Sequence, residues 1–344
     1  RVRHLTARDL GIADYEQFAF KYRTIEFNTA VKPTLLLHLL EREGAERLLY
    51  LDPDILVWAP LDDLFERLGS ARFVLTPHIT TPYEDWWSPS EVDLLRAGTF
   101  NLGFIGVAGD ARAQEVLRWW AARVYDQCVV DPDRGLFVDQ KWMDLLPSLE
   151  PQTAIVHAPE FNVAYWNLHE RQLTAAGDDL LVNGRRLGFF HFSGIDLDDL
   201  DGVSRHQNRV TLPADGALRA LFEAYALQLE EERHETFRRL AYAYGRFDNG
   251  VAVADVLRTA YRRLPELTTL GDPFQTASGG RSLFEWLREP VLEGRQLTNL
   301  AAALWQGSPE VCQRFPALEA AMEAGLADFL VAAREWVSLE VELA

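Results

Sequence analysis

Two aspartates one residue apart, Asp52 and Asp54 in the stretch "RLLYLDPDILV", are the side chains whose type and spacing most directly offer chemistry. Asp52 stands at the carboxyl end of an apolar run, the place where open α/β sheets bind their ligands. Pro53 holds an extended turn between the two, so both carboxylates can converge on one ion. Hard oxygen donors at a loop mouth suit Mg²⁺ or Mn²⁺, with water and phosphate oxygens completing the shell. A motif this short also reads as a plain turn that caps the next segment, and only its surroundings decide.

The elements around it alternate. "NTAVKPTLLLHLLEREG", residues 28–44, is expected to be a helix capped by Asn28 or Thr29, with Pro33 in its first turn and Leu36, Leu39 and Leu40 on one face. "RLLYLD" then reads as a strand covered on both faces. "PLDDLFERLG" is a short amphipathic helix, "ARFVLTPH" and "FNLGFIGV" are strands, and "ARAQEVLRWWAARVYDQC" is a long helix with Leu117, Trp120 and Val124 inward. "TAIVHAP" and "RLGFFHFSG" close the series. Strands alternating with helices predict an α/β layered domain, its sheet mixed but mainly parallel, over residues 1–212.

Past Leu212 the pattern turns helical. "ALRALFEAYALQLEEERHETFRRLAYAYG" reads as one long amphipathic helix ending at Gly245, and helical segments continue through "QLTNLAAALWQ" and "FPALEAAMEAGLADFLVAAREWVSLEVEL". A helical domain over 213–344 is expected. A chain of 344 residues exceeds what one core of about 250–300 residues organises, which agrees with two domains. The net charge of −18, with no basic tract, argues against nucleic acid or an anionic membrane as partner. No apolar run is long enough to span a bilayer. Cys128 and Cys312 stand far apart with no metal-ligand spacing, so a reducing cytoplasm is the expected compartment. The chain opens at Arg1 on what reads as a strand end, as a fragment of a longer parent chain with further domains would.

Five ordered stretches resemble the glycogenin-like (family 8) retaining glycosyltransferases, which have the GT-A fold: Lys32 in "NTAVKP", the "LYLDPDILV" strand end, "FNLGFIGV", "FVDQKWMD" and "FFHFSG". The resemblance implies a GT-A-like (Rossmann-like) α/β domain, here apparently lacking its first strand. It implies a metal held by Asp52, Asp54 and His191, and a nucleoside diphosphate sugar, most simply a UDP-sugar, lying against Lys32, Asp52, Asn101, Gly103 and Gly194. Asn101, Asp139 and Gln140 are then the groups that act on the sugar. Each has a plainer alternative: His191 between Phe189, Phe190 and Phe192 reads as a core histidine, and Lys32 as a solvated residue of a first helical turn. A cation there opposes the helix dipole, which a bound anion would offset.

The family follows its "HxxG" with a Lys-Pro-Trp that grips the diphosphate, whereas "IDLDDLDGVSRHQNR" stands here, so Arg205, His206 or Arg209 is expected to take that work, with Arg205 preferred. "PEFNVAYWNLHERQL" mixes stacking and hydrogen-bonding groups, and Tyr165, Trp166 and His169 are candidate contacts to an acceptor, alongside Trp86 and Trp87 in the long loop before Asn101. The same segment reads as a core helix start with capping asparagines. The expected function is metal-dependent transfer of a sugar, with retention of configuration, to a glycan, a protein or a small molecule. Rival readings are a non-catalytic carbohydrate-binding module of the same fold and a phosphatase of the haloacid-dehalogenase type, which also uses D-x-D but normally on its first strand.

Overall fold

The computed structural model describes residues 2–198, 201–277 and 281–288. The chain divides into two compact units, one of Arg1–Leu10 with Asn28–Leu240 and one of Gly11–Phe27 with Ala241–Ala344. This division differs from the expected boundary at 212.

In the first unit the strands are β1 (Arg47–Leu51), β2 (Ile55–Val57), β3 (Phe73–Leu75), β4 (Phe104–Ala108), the short β5 and β6 (Val130–Asp131, Leu136–Phe137), β7 (Thr153–Ile155), β8 (Leu173–Ala176), β9 (Asp179–Val182), β10 (Arg185–Arg186) and β11 (Phe189–His191). The central sheet has the order β1-β4-β3-β7. Its β1–β4 and β3–β4 pairs are antiparallel, and only β3–β7 is parallel. The mainly parallel sheet expected from the alternation is therefore corrected to a small mixed sheet. Strand–helix alternation sets the layers, but direction depends on how each connection returns, and the long excursion from β3 to β4 brings the chain back reversed.

Burial follows from this order. β3 and β4 lie inside the sheet and are buried almost throughout. β1 is only half-buried, not covered on both faces as its apolar run suggested, because among the described strands it is an edge. A core of Leu64, Leu68, Val74, Phe104, Val156, Phe161 and Phe189 packs around the sheet. Helix Ala111–Gln127 is capped by Asp110, whose carboxylate accepts from the Ala113 N–H, and it buries Leu117, Trp120 and Val124 as its pattern predicts.

Two helical expectations are corrected. The stretch 28–44 is not one helix capped by Asn28 or Thr29: Thr24–Ala30 is a helix of its own, and Lys32–Glu41 begins after Val31 with Pro33 in its first turn. The long helix expected up to Gly245 ends at Glu231, where Arg233 adopts a left-handed backbone (φ 60°) and a single short turn, His234–Phe237, follows. Helix Ala217–Glu231 seats Leu221, Phe222 and Tyr225 in one cluster with Phe190 and Phe192, which explains why it belongs to the first unit. Tyr225 stacks flat on Phe192 at 3.7 Å.

In the second unit, helix Tyr15–Phe20 contributes Phe20 to a cluster with Phe247, Val253, Tyr261, Leu267, Leu283 and Leu287. The buried Arg258 donates to the Phe20 and Tyr244 carbonyls at 2.9 and 2.6 Å. Helices Asp255–Arg263 and Leu283–Arg288 match the expected helical character, while the segments expected beyond residue 288, and Cys312, lie outside the described residues.

Candidate functional site

Backbone pairing assembles the site. The β1–β4 ladder runs on past Leu51, with the Asp52 N–H donating to the Gly103 carbonyl at 2.8 Å, so Asp52 faces Gly103. A turn closed by Ile55 N–H on the Asp52 carbonyl leads into β2. β2 pairs antiparallel with β11 so that Ile55 sits opposite His191, and Phe192 N–H reaches the Asp54 carbonyl at 2.9 Å. One ligand atom each from Asp52, Asp54 and His191 then lie within 4.8 Å of one another.

The histidine is oriented by a buried amide. Its Nδ1 donates to Asn101 Oδ1 at 3.2 Å, because a carbonyl oxygen only accepts, and its Nε2 faces Asp54 Oδ1 at 3.0 Å. A metal-binding histidine is usually held in this way, one nitrogen tethered and the other free to ligate. Two carboxylates and one imidazole nitrogen suit Mn²⁺ or Mg²⁺, so the residues present fit a divalent cation. Burial works to raise the Asp54 carboxyl, but where no metal takes Nε2 a proton on that nitrogen bonds and charges against Asp54 and holds it below the usual carboxylate range.

Lys32 is the fixed cation of the site. It is 1% exposed, donates to the Leu102 carbonyl at 2.7 Å, and lies 2.8 Å from Asp139 and 3.7 Å from Asp52. The solvated alternative for this lysine is overturned, because the chain's own carboxylates supply its anions. Burial opposes its charge, yet Asp139 and Asp52 outweigh burial and raise its pKa well above the ordinary lysine value. Burial likewise pushes the Asp139 carboxyl up, against the Lys32 ammonium. Tyr50 donates to Asp52 Oδ1 at 2.7 Å.

Behind these groups lies a polar network that sequence reading only partly reached. Asn101 Oδ1 also accepts from the Gly103 N–H and from Asn162 Nδ2, each at 3.1 Å. Asn162 is fully buried in a left-handed backbone (φ 54°) and donates to Thr76 Oγ1 at 2.8 Å. The Asn101 amide nitrogen faces Gln140 Oε1 and His78 Nε2 at 3.4 and 3.5 Å. Gln140 accepts from the Leu102 N–H and donates to the Ala97 carbonyl. Burial lowers the His78 pKa to about 4, so its ring is neutral. His78 and Tyr50 were not among the expected site residues, and Asn162 was expected only as a hydrogen-bonding group of the "PEFNVAYWNLHERQL" stretch. An asparagine tolerant of the left-handed region was the one available signal.

The glycines are used for close approach. A Cβ on Gly103 would lie 2.3 Å from Cε1 of His191, and one on Gly194 (φ 70°) 2.3 Å from Cδ2 of His206. The Arg205 N–H donates to the Gly194 carbonyl at 2.9 Å and its side chain is exposed, so residues 205 and 206 stand beside the loop that follows His191. Arg209 is differently employed. It forks onto Asp85, donates to the Trp87 and Pro89 carbonyls, and lies 3.6 Å over the Tyr83 ring, which removes it as a phosphate ligand.

The expected acceptor contacts separate into two sets. Trp166 is buried edge-on to His191 at 5.3 Å and so supports the site, while the partly exposed His169 donates Nε2 to the Thr81 carbonyl at 2.9 Å. Asn167, fully buried, bonds the His78 and Asn162 carbonyls. Tyr165 is half-buried, and Trp86 and Trp87 are exposed.

Two proteins of Bacillus subtilis (strain 168) are similar to this chain. "Uncharacterized protein YfnF" is 28% identical over 195 residues, 55% of this chain and 63% of that protein. "Uncharacterized protein YfnD" is 25% identical over 176 residues, 50% of this chain and 54% of that protein. The chain thus spans a little over half the length of these relatives. No protein-family model matches the chain. No solved structure matches it.

Proposed function

We propose that this chain is a metal-dependent glycosyltransferase with a GT-A-like domain, moving a sugar from a nucleoside diphosphate sugar, most simply a UDP-sugar, to an acceptor with retention of configuration. The observation that carries the reading is the Asp52–Asp54–His191 cluster beside the buried Lys32–Asp139 pair. A bound divalent cation supplies Lewis-acid stabilisation of a departing diphosphate. The side chains account for the rest. Asp52 and Asp54 offer hard oxygens, and Asn101 keeps the Nε2 of His191 turned toward them. Lys32 places positive charge in a water-poor site, where it acts strongly on developing negative charge. Asp139, buried against the Lys32 ammonium, holds that charge in place, and Arg205 and His206, exposed in the loop after His191, are the groups offered to a diphosphate. The cytoplasm remains the proposed compartment. Among the described residues no helix is long and apolar enough to cross a membrane.

Calorimetry with Mn²⁺ and UDP tests the reading. The wild-type chain should bind UDP only when Mn²⁺ is present, and Asp54→Asn should abolish that dependence. UDP binding that ignores the metal would sink the assignment. Slow Mn²⁺-dependent hydrolysis of a UDP-sugar separates the enzyme from a non-catalytic carbohydrate-binding module.

A further inference from the structure

The excursion between β3 and β4 exposes two indoles on a loop that is tied down from several sides. Trp86 is fully exposed and Trp87 is 55% exposed. Such rings are normally buried, because apolar surface left in water forgoes the free energy of burial. Their loop is nevertheless anchored. The Arg209 guanidinium, almost wholly buried, holds Asp85 through two nitrogens and also bonds the Trp87 and Pro89 carbonyls. Asn208 clasps Ser88, donating its N–H to the Ser88 carbonyl at 3.1 Å and accepting the Ser88 N–H at 2.7 Å. Glu170 accepts from both the N–H and the hydroxyl of Thr80.

The anchored loop is continuous with the candidate site. Tyr83 donates to the Trp166 carbonyl at 2.6 Å, and Trp166 lies edge-on to His191. A loop held in one shape loses little entropy when a ligand arrives, so rigidity here favours binding. The chemistry of the tip selects the ligand. The two exposed indoles share their loop with the exposed carboxylate of Glu84, in a protein of net charge −18. That combination repels phosphates and anionic lipid headgroups, while the apolar C–H face of a pyranose can lie on the rings and its hydroxyls can donate to the carboxylate.

We propose that the Trp86–Trp87 loop, locked by Arg209, is a binding platform for a neutral oligosaccharide acceptor. This rests on the reading of the neighbouring site as sugar-transferring and names the acceptor class for it. Arg209 is a positioning residue, and the indoles make the contact.

Isothermal titration of the full chain with maltotriose, cellotriose, mannotriose and chitotriose tests the platform. At least one should bind with a Kd at or below about 1 mM, and the double variant Trp86→Ala/Trp87→Ala should weaken it at least tenfold with an unchanged melting temperature. Arg209→Lys, which keeps the charge and loses the fork, should weaken it severalfold while both indoles remain. The platform is overturned if no trisaccharide binds, if removing the indoles leaves affinity unchanged, if anionic phospholipid vesicles bind in its place, or if the double variant alters the oligomeric state. Unchanged affinity in Arg209→Lys overturns the lock. These titrations need neither metal nor donor, so their failure is distinct from failure of the Mn²⁺ and UDP measurement.

Discussion

His191 presents Nε2 to Asp54 because Asn101 holds Nδ1, and Asn101 is itself held by Asn162. The Asn162 side chain donates to Thr76 and Asn101 and not to a candidate ligand of the metal, so its hydrogen bonding reaches His191 through Asn101. Asn162→Ala should weaken Mn²⁺ binding about 10- to 100-fold, the usual consequence of losing an outer-shell tether, measured by calorimetry. Gly103→Ala places a methyl against the His191 ring, and the same measurement should show Mn²⁺ affinity lost with it. For the ion pair the decisive quantity is stability. Lys32→Met leaves Asp139 buried without its cation, which should cost about 3–5 kcal/mol, and adding Asp139→Leu should restore much of it in urea unfolding. His78 has its pKa lowered from 6.5 to about 4 by burial. Between those values the unfolded chain binds more protons, so stability rises with pH; this contribution is complete above 6.5 and is lost as pH falls toward 4. It amounts to at most about 3 kcal/mol. Unfolding at pH 4.5 and 7 should differ less in His78→Gln than in the wild type.

At the scale of elements, two antiparallel pairings do most to define the site. β1–β4 sets Asp52 against Gly103, and β2–β11 sets Asp54 beside His191, residues far apart in the chain. A slip of one residue in either ladder would turn the side chains to the opposite face and dissolve the cluster. Helix Ala217–Glu231 supports β11 from behind through Phe222 and Tyr225. Phe222→Ala should therefore destabilise the first unit by about 3–5 kcal/mol, read as a lowered melting temperature. The helix pattern for 217–231 was plain in the sequence. Its partner was not, because an amphipathic stripe states that one face is buried and does not say against what.

For the whole molecule, the division into units follows packing rather than chain order. Residues 11–27 group with the segment after Leu240, and helix Ala217–Glu231 with the strands before it. A chain ending at residue 212 would leave Phe190, Phe192 and their neighbours uncovered. Both this chain and one ending at residue 240 strip Phe20 of its cluster with Phe247 and Tyr261, but only the shorter one also opens the Phe190 cluster, so it should aggregate more strongly, a difference light scattering would detect.

By itself the sequence determined the alternation of layers, the inward face of helix Ala111–Gln127, and the residue types able to hold a hard cation. These are local properties, read from the spacing of apolar residues and the chemistry of side chains. Tertiary structure alone decided strand direction, the burial of Lys32 against Asp139, the withdrawal of Trp166 into a supporting position, and the use of Arg209 as a tether. Each depends on contacts between residues distant in the chain, and no local periodicity encodes which of two chemically able side chains is placed at the opening and which is packed behind it.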